Sequence, residues 1–187
     1  MTAGQVQYVC RAGNFLKKGL PFTGALKVLK VMMGYEYLWT QVRVKGGAYG
    51  CMCTFSRSGD SYFVSYRDPN LEKTIETYQE AADYVKNYEA DERTVTQFII
   101  GAVSELDTPM TPKGRGNYSL AGYLTGLTMD RIQQERDELL AATAETIKGL
   151  SCYIEAFMKD DCLCVVGNGE KIKEEKKLFL SVDQLFH

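Results

Sequence analysis

The hydrophobic pattern of the chain begins with a short alternating segment and continues into a long helical one. Residues 6–11 alternate apolar and polar side chains, which is typical of a half-buried strand. Residues 13–21 predict a connecting loop. From about Thr23 to Arg43 apolar residues recur at helical spacing around a wide arc, so we expect a helix that is mostly buried against a sheet. Its apolar positions are Leu26, Val28, Leu29, Met32, Met33, Tyr35, Leu38, Trp39 and Val42.

Two further alternating segments follow the long helix. They cover residues 49–56 and 61–67, and the four residues between them include Gly59. Alternation on both sides of a glycine-containing turn predicts a β-hairpin. This places Tyr49 at the start of the first strand of that hairpin.

Helical patterns dominate the second half of the chain. Asp68 is expected to cap, and Pro69 to open, a helix that ends near Tyr88. Residues 107–116 hold two prolines and two glycines, which predicts a loop. The apolar segment 162–166 predicts a closing strand. The remaining helices are expected over residues 92–106, from 116 or 117 to about 127, and over 129–143 continuing into 144–158, with Thr143 as a cap.

These elements together predict one α+β domain over residues 1–187. A helix between strands, a hairpin, a helical cluster and a final strand give a two-layer sandwich, in which helices cover a mainly antiparallel sheet. With 187 residues, of which 45% are hydrophobic, the chain can bury one substantial core.

The charge pattern argues against two classes of partner. Acidic and basic residues are interleaved and the net charge is −2, so we expect no binding to nucleic acid or to a membrane surface. The chain starts without a basic segment that leads into an apolar one, and no stretch approaches about 18 consecutive apolar residues. We therefore expect neither a signal peptide nor a transmembrane segment, and a location in the cytoplasm or an organelle matrix.

The six cysteines include two closely spaced pairs, Cys51 with Cys53 and Cys162 with Cys164. One intervening residue in a strand puts both thiols on the same face. Structural zinc sites more often have two to four residues between such ligands. We therefore expect no metal site here and interpret the cysteines as free thiols in a reducing compartment.

The junction between the long helix and the hairpin carries the most informative chemistry. Arg43 and Tyr49 lie six residues apart, on either side of Gly46 and Gly47. Glycines allow positive φ and close approach of the backbone, so both side chains can be exposed together. A guanidinium and a phenol can both donate hydrogen bonds to an oxyanion or a peptide carbonyl. The alternative is a helix stop, because glycine is the commonest stop signal after a helix.

Two motifs extend this observation into a family resemblance. The sequences LWTQVRVKGGAYG at 38–50 and SYRDPN at 65–70 resemble the last domain of one group of zinc metallopeptidases. This group is the presequence-protease branch of the insulinase-type (pitrilysin, M16) family. The similarity runs from residues 5–9 to the strand at 162–166.

The resemblance implies a role for the junction. In that family four similar domains form two halves that close around a peptide, and the zinc lies in the first domain. The arginine and tyrosine of the last domain reach the zinc site, bind the substrate backbone and help to stabilise the oxyanion. The matching positions here are Arg43 and Tyr49, whose spacing is that of the presequence-protease branch. Gly46, Gly47 and Gly50 would shape the turn.

The zinc motif of the family is missing from this chain. That motif, His-x-x-Glu-His, supplies two metal ligands and the group that activates water. The single histidine is the last residue, His187. The resemblance therefore implies zinc bound by another domain, partners in the N-terminal domains of the same polypeptide and in a peptide substrate, and no activity of this fragment alone. Arg67 and Asp68 are interpreted as structural.

Two other classes of function remain open. A non-catalytic scaffold or chaperone-like subunit can have the same fold, although the presence of Arg43 and Tyr49 counts against it. A free-standing cysteine enzyme would need a thiol beside an imidazole. Such a pair is hard to build when the only histidine is terminal.

Overall fold

The computed structural model describes residues 5–184, which form a four-stranded antiparallel sheet with helices packed on one face. The strands lie in the order β2-β3-β1-β4, so β2 and β4 are the edges of the sheet. The predicted two-layer α+β architecture is confirmed. The strands are β1 (Gln7–Asn14), β2 (Gly50–Phe55), β3 (Asp60–Asp68) and β4 (Cys162–Val166).

Eight α-helices and one π-helical segment are present in residues 5–184. The helix over Glu92–Leu106 and the strand over Cys162–Val166 have the predicted bounds. The helices are α1 (Ala25–Met32), which continues as the π segment (Met33–Lys45), α2 (Glu72–Lys86), α3 (Glu92–Leu106), α4 (Pro112–Thr125), α5 (Met129–Leu140), α6 (Ala144–Gly149), α7 (Ser151–Met158) and α8 (Gly169–Glu174).

The centre of the core is an aromatic cluster around Phe63 of β3. The Phe63 ring lies 5.1 Å from Phe157 of α7, 5.6 Å from Tyr78 of α2 and 6.4 Å from Phe55 of β2, measured between ring centroids. Buried aromatic pairs at such distances contribute about 0.5–1.5 kcal/mol beyond their area burial. The cluster therefore fixes α2 and α7 on the sheet. The other sheet face is open, since Tyr8 and Met52 are 46% and 47% exposed.

The long helix is continuous from Ala25 to Lys45, close to the prediction, but its winding changes at Met33. From there the backbone is π-helical for 13 residues. A π-helix bonds residue i to i+5 and turns more slowly than an α-helix, so side chains drift away from the faces that the α-helical spacing assigns. The predicted burial of Tyr35 and Trp39 is therefore wrong, because these side chains are 70% and 42% exposed.

The predicted loop over 107–116 is wrong in its second half. Helix α4 begins inside it, at Pro112, because Thr111 caps the helix: its hydroxyl oxygen accepts a hydrogen bond from the Gly114 N–H at 3.2 Å. Proline at the first helical position needs no N–H donor and has a suitable φ.

The predicted N-cap at Asp68 is also wrong, because α2 starts at Glu72. Asp68 is the last residue of β3 and is fully buried. Its carboxylate accepts hydrogen bonds from the Asn70 N–H at 2.9 Å and the Thr74 hydroxyl at 2.8 Å. The residue therefore connects the strand to the first turn of α2 from inside the core.

The remaining differences concern the ends of the helices. The cap at Thr143 is confirmed, since its hydroxyl accepts from the Thr146 N–H at 3.1 Å. The segment after it contains two helices, α6 and α7, and the preceding α5 stops at Leu140. Helix α8 was not predicted. His187 lies outside the described residues. No helix in residues 5–184 combines the length and the apolar content that crossing a membrane requires.

Glu135 of α5 is the centre of a buried charge cluster. Its side chain is 1% exposed. It forms ion pairs with Lys27 of α1 at 3.0 Å, with Arg57 of the β2–β3 turn at 2.7 Å and with Arg131 at 3.4 Å. Burial raises the pKa of Glu135, but hydrogen bonds from Arg57 and Lys27 outweigh it, so the pKa lies below the ordinary value. The cluster ties α5 to the long helix and to the hairpin.

Candidate functional site

The backbone of the junction turns sharply between the π segment and β2. The N–H of Gly47 donates to the Arg43 carbonyl at 2.9 Å, and the N–H of Ala48 donates to the Val42 carbonyl at 3.1 Å. Gly47 has φ +79°, a value that L side chains rarely adopt. At Gly46 a Cβ atom would lie 2.4 Å from the Val42 carbonyl oxygen. Both positions therefore require glycine.

Gly50 has a different role from the two glycines of the turn. A Cβ atom there would lie 2.4 Å from the Tyr66 phenol oxygen, so the missing side chain makes room for the Tyr66 ring. On the other side of the turn, the side-chain amide of Asn70 donates to the Gly46 carbonyl at 2.5 Å. The two motifs 38–50 and 65–70 are therefore in direct contact.

Arg43 is held by two contacts that leave much of its guanidinium available. Its Nε donates to the Tyr49 carbonyl oxygen at 3.0 Å, and the guanidinium lies 3.8 Å from the centroid of the Trp39 ring. Stacking on an indole positions a guanidinium without using its N–H donors. Within residues 5–184 the terminal nitrogens make no further side-chain hydrogen bond, and no carboxylate lies within 4.0 Å of them. They can donate to a ligand.

Tyr49 is fixed by its neighbours and is open to solvent. Its side chain is 62% exposed, with the ring 5.6 Å from Tyr66 and 5.4 Å from the Arg67 guanidinium. Its N–H donates to the Arg67 carbonyl at 3.3 Å. Arg67 has φ +49°, which is uncommon for a residue other than glycine. Arg67 thus has a left-handed backbone conformation at the position where its guanidinium contacts the Tyr49 ring.

The sequence pointed to Arg43 and Tyr49 but missed the residues that hold them. Trp39 was expected in the core, yet its ring supports Arg43. Tyr66 and Arg67 flank Tyr49 across the sheet, and the register of the predicted hairpin is the signal that relates them to it. The one signal in the sequence for Trp39 is its position four residues before Arg43, which helical winding places on a common side.

The cysteines nearest the site are poor nucleophiles. Burial raises the pKa of Cys51 to about 11, although the nearby Arg43 lowers it, and burial raises the pKa of Cys53 to about 12. Burial also raises the pKa of Cys10 and Cys152. Because the thiolate is the reactive form, the raised pKa lowers the reactivity of these four thiols at neutral pH. This counts against a cysteine enzyme.

The described residues also do not provide a metal site. Residues 5–184 contain no cluster of three or more His, Cys, Asp or Glu side chains that could hold an ion. The donor set for a catalytic zinc, three protein ligands with one open position, is therefore not assembled by this part of the chain.

All six cysteines are free thiols in the structure. We predict that a thiol reagent titrates six thiols per chain under denaturing, non-reducing conditions. Cys10, Cys51 and Cys53 should react only after denaturation, because their side chains are half-buried or buried. Mass spectrometry of alkylated protein provides the control. A count of four or fewer in freshly purified protein would contradict the prediction.

The fold just described is that of M16 peptidase domains. It superposes on the peptidase M16 inactive domain from Pseudomonas fluorescens with a TM-score of 0.62 and 16% identity, covering 88% of this chain and 40% of that one. The periplasmic protease PqqL from Escherichia coli gives a TM-score of 0.54 and 14% identity, over 84% of this chain and 18% of that one. At these identities the comparison establishes the fold alone.

The sequence identifies the family more closely. Residues 1–166 match the model of the PreP C-terminal domain, and the chain belongs to this family, as the resemblance predicted. Protein HypA from Clostridium perfringens is 44% identical over 182 residues, which are 97% of this chain and 19% of that protein. Presequence protease 1, chloroplastic/mitochondrial, from Arabidopsis thaliana is 35% identical over 169 residues, 90% of this chain and 16% of that protein. The chain thus spans less than a fifth of these relatives.

Proposed function

We propose that this chain is the carboxyl-terminal, non-metal domain of a zinc metalloendopeptidase that degrades unstructured peptides. The observation that carries the proposal is the pair Arg43 and Tyr49, held in place by Trp39, Tyr66 and Arg67 with donor groups free to bind a ligand. Membership of the PreP C-terminal domain family supports it. The whole of residues 1–187 is proposed to act as one domain.

The two donors suit a peptide bond under attack by water. Negative charge develops on the carbonyl oxygen as water adds to the scissile carbonyl, and donors already in position stabilise this charge. Arg43 can donate from its terminal nitrogens and Tyr49 from its phenol. Gly46 and Gly47 are proposed to act indirectly, by shaping the turn between Arg43 and Tyr49, and Gly50 by making room for the Tyr66 ring beside Tyr49.

Zinc is proposed to lie in another domain of the same polypeptide. Residues 5–184 do not fit a zinc site, and the single histidine of the sequence is His187. The partners of the domain are then the preceding domains and the peptide that they enclose together. The free thiols support a reducing location, either the cytoplasm or an organelle matrix.

The gene provides a direct test of this assignment. The native reading frame should encode an upstream His-x-x-Glu-His motif in the same polypeptide. A native reading frame without this motif would favour the scaffold or chaperone-like alternative, which needs the fold but no chemistry.

We further predict that the purified chain binds no stoichiometric zinc and cleaves no peptide by itself, because both the ligands and the general base are absent. Metal analysis after dialysis and a fluorogenic peptide assay measure the two properties. The full-length polypeptide, treated in the same way, is the positive control. One tightly held zinc per isolated chain would overturn the prediction.

A further inference from the structure

Helix α4 is distinctive because the structure buries none of its residues. Large apolar side chains nevertheless occur on it: Leu120 is 57% exposed, Tyr123 84% and Leu124 72%. Residues three and four apart lie on the same side of a helix, so these three form one continuous surface, here called the α4 face. A continuous exposed apolar surface is typical of a binding site, whereas scattered apolar residues are not.

The α4 face points away from the rest of the domain. Tyr118 lies about 200° around the helix axis from Leu120, since each residue adds about 100°. Tyr118 lines the cavity between α4 and the domain body, together with Lys27 and Arg57. The side of α4 that carries Tyr118 therefore faces the domain, and the α4 face is turned outward.

The chemistry of the α4 face indicates what kind of surface covers it. From Gly116 to Thr125 the helix contains no charged residue, and its two basic residues, Lys113 and Arg115, lie in the first turns. A Cβ atom at Gly116 would have no neighbour within 4 Å, so a partner can approach the backbone closely there. Interface cores are depleted of charge, and permanent interfaces are more apolar than transient ones.

We propose that the α4 face docks against an earlier domain of the same polypeptide, on an uncharged apolar surface. This inference rests on the proposed function. The docking partner is inferred from the length of the relatives. This chain corresponds to 19% of the Clostridium perfringens relative and 16% of the Arabidopsis thaliana relative, so most of each relative lies outside the matched region. A 14-residue helix is about 21 Å long. That length is enough to supply much of an interdomain contact of about 600–1,500 Å².

Oxidative footprinting of Tyr123 tests the inference without any mutation. Hydroxyl radicals should oxidise Tyr123 readily in the isolated chain, where it is 84% exposed. In the full-length polypeptide the rate of oxidation should fall several-fold. An equal rate in both proteins overturns the proposal. This measurement does not depend on catalysis. Its outcome is therefore independent of whether the full-length polypeptide has the proposed peptidase activity.

A pair of variants tests the same surface by stability. Leu124→Asp should leave the thermal midpoint of the isolated chain nearly unchanged and should lower that of the full-length polypeptide. Ile100→Asp is the matched control, because Ile100 is 59% exposed on α3, outside the α4 face. Equal effects of the two variants on the full-length polypeptide overturn the proposal. Protection of Tyr123 that appears only in a concentration-dependent dimer also overturns it, in favour of a second copy.

Discussion

Replacing Arg43 with alanine in the full-length polypeptide should lower kcat/KM on several peptides by about 10²–10³-fold. The guanidinium would act on charge that develops in the transition state, and the loss of one such donor typically costs about 2.7–4 kcal/mol. Tyr49→Phe removes only the phenol oxygen and should act in the same direction. Part of either effect can appear as weaker substrate binding, since the proposed role requires the domains to close before these residues reach the substrate.

The controls for this prediction come from the same segment. Lys45→Ala removes a neighbouring exposed cation, and Tyr35→Phe removes a phenol that is 70% exposed on the π segment. Neither should change kcat/KM. Because Arg43 also holds the Tyr49 carbonyl, zinc content and the thermal midpoint are measured alongside. If Arg43→Ala and Tyr49→Phe both retain wild-type kcat/KM, the junction is a helix stop and the scaffold reading gains support.

The second large effect concerns stability. Glu135→Gln should lower the free energy of unfolding of the chain by about 3 kcal/mol, the lower end of the range for breaking a buried ion pair. The variant leaves Lys27, Arg57 and Arg131 without their shared carboxylate. These cations are 21%, 39% and 36% exposed, so water compensates part of the loss. Urea unfolding should show a lower midpoint with an unchanged m-value.

Glu145→Gln is the matched control for this variant. Glu145 pairs with Lys148 but is 83% exposed, and exposed ion pairs contribute about 0–1 kcal/mol. The control should therefore unfold close to the wild type. Equal unfolding midpoints of Glu135→Gln and the wild type would show that the buried charge cluster contributes nothing net.

The pH dependence of the free energy of unfolding, compared between the wild type and Glu135→Gln, gives an independent measurement. The folded-state pKa of Glu135 is lowered, so the carboxylate stabilises the fold fully above its unfolded pKa of about 4.3. This stabilisation is lost as the pH falls through the folded-state pKa. The difference in free energy of unfolding between the wild type and Glu135→Gln should therefore shrink on acidification below about pH 4.3. A difference independent of pH would mean that the charge is not its source.

The sequence predicted the elements whose signals are local. The alternation in β1, the glycine turn of the hairpin and the cap at Thr143 each depend on residues a few positions apart, and all three are present. The proximity of Arg43 and Tyr49 was predictable for the same reason, because only a short turn separates these residues in the chain. The α-helical spacing failed at Tyr35 and Trp39, where the π winding changes which side chains face the core.

By itself, then, the sequence determined the α+β fold, the family and the lack of a zinc motif, and it predicted Arg43 and Tyr49 as the two donors at the junction. The tertiary structure decided what surrounds them. Trp39, Tyr66 and Arg67 hold the two donors, Glu135 gathers cations from separate elements, and the α4 face is left exposed. Arg57 and Glu135 are 78 residues apart in the chain. No local pattern encodes this last contact, because it forms only when packing of the core brings distant elements together.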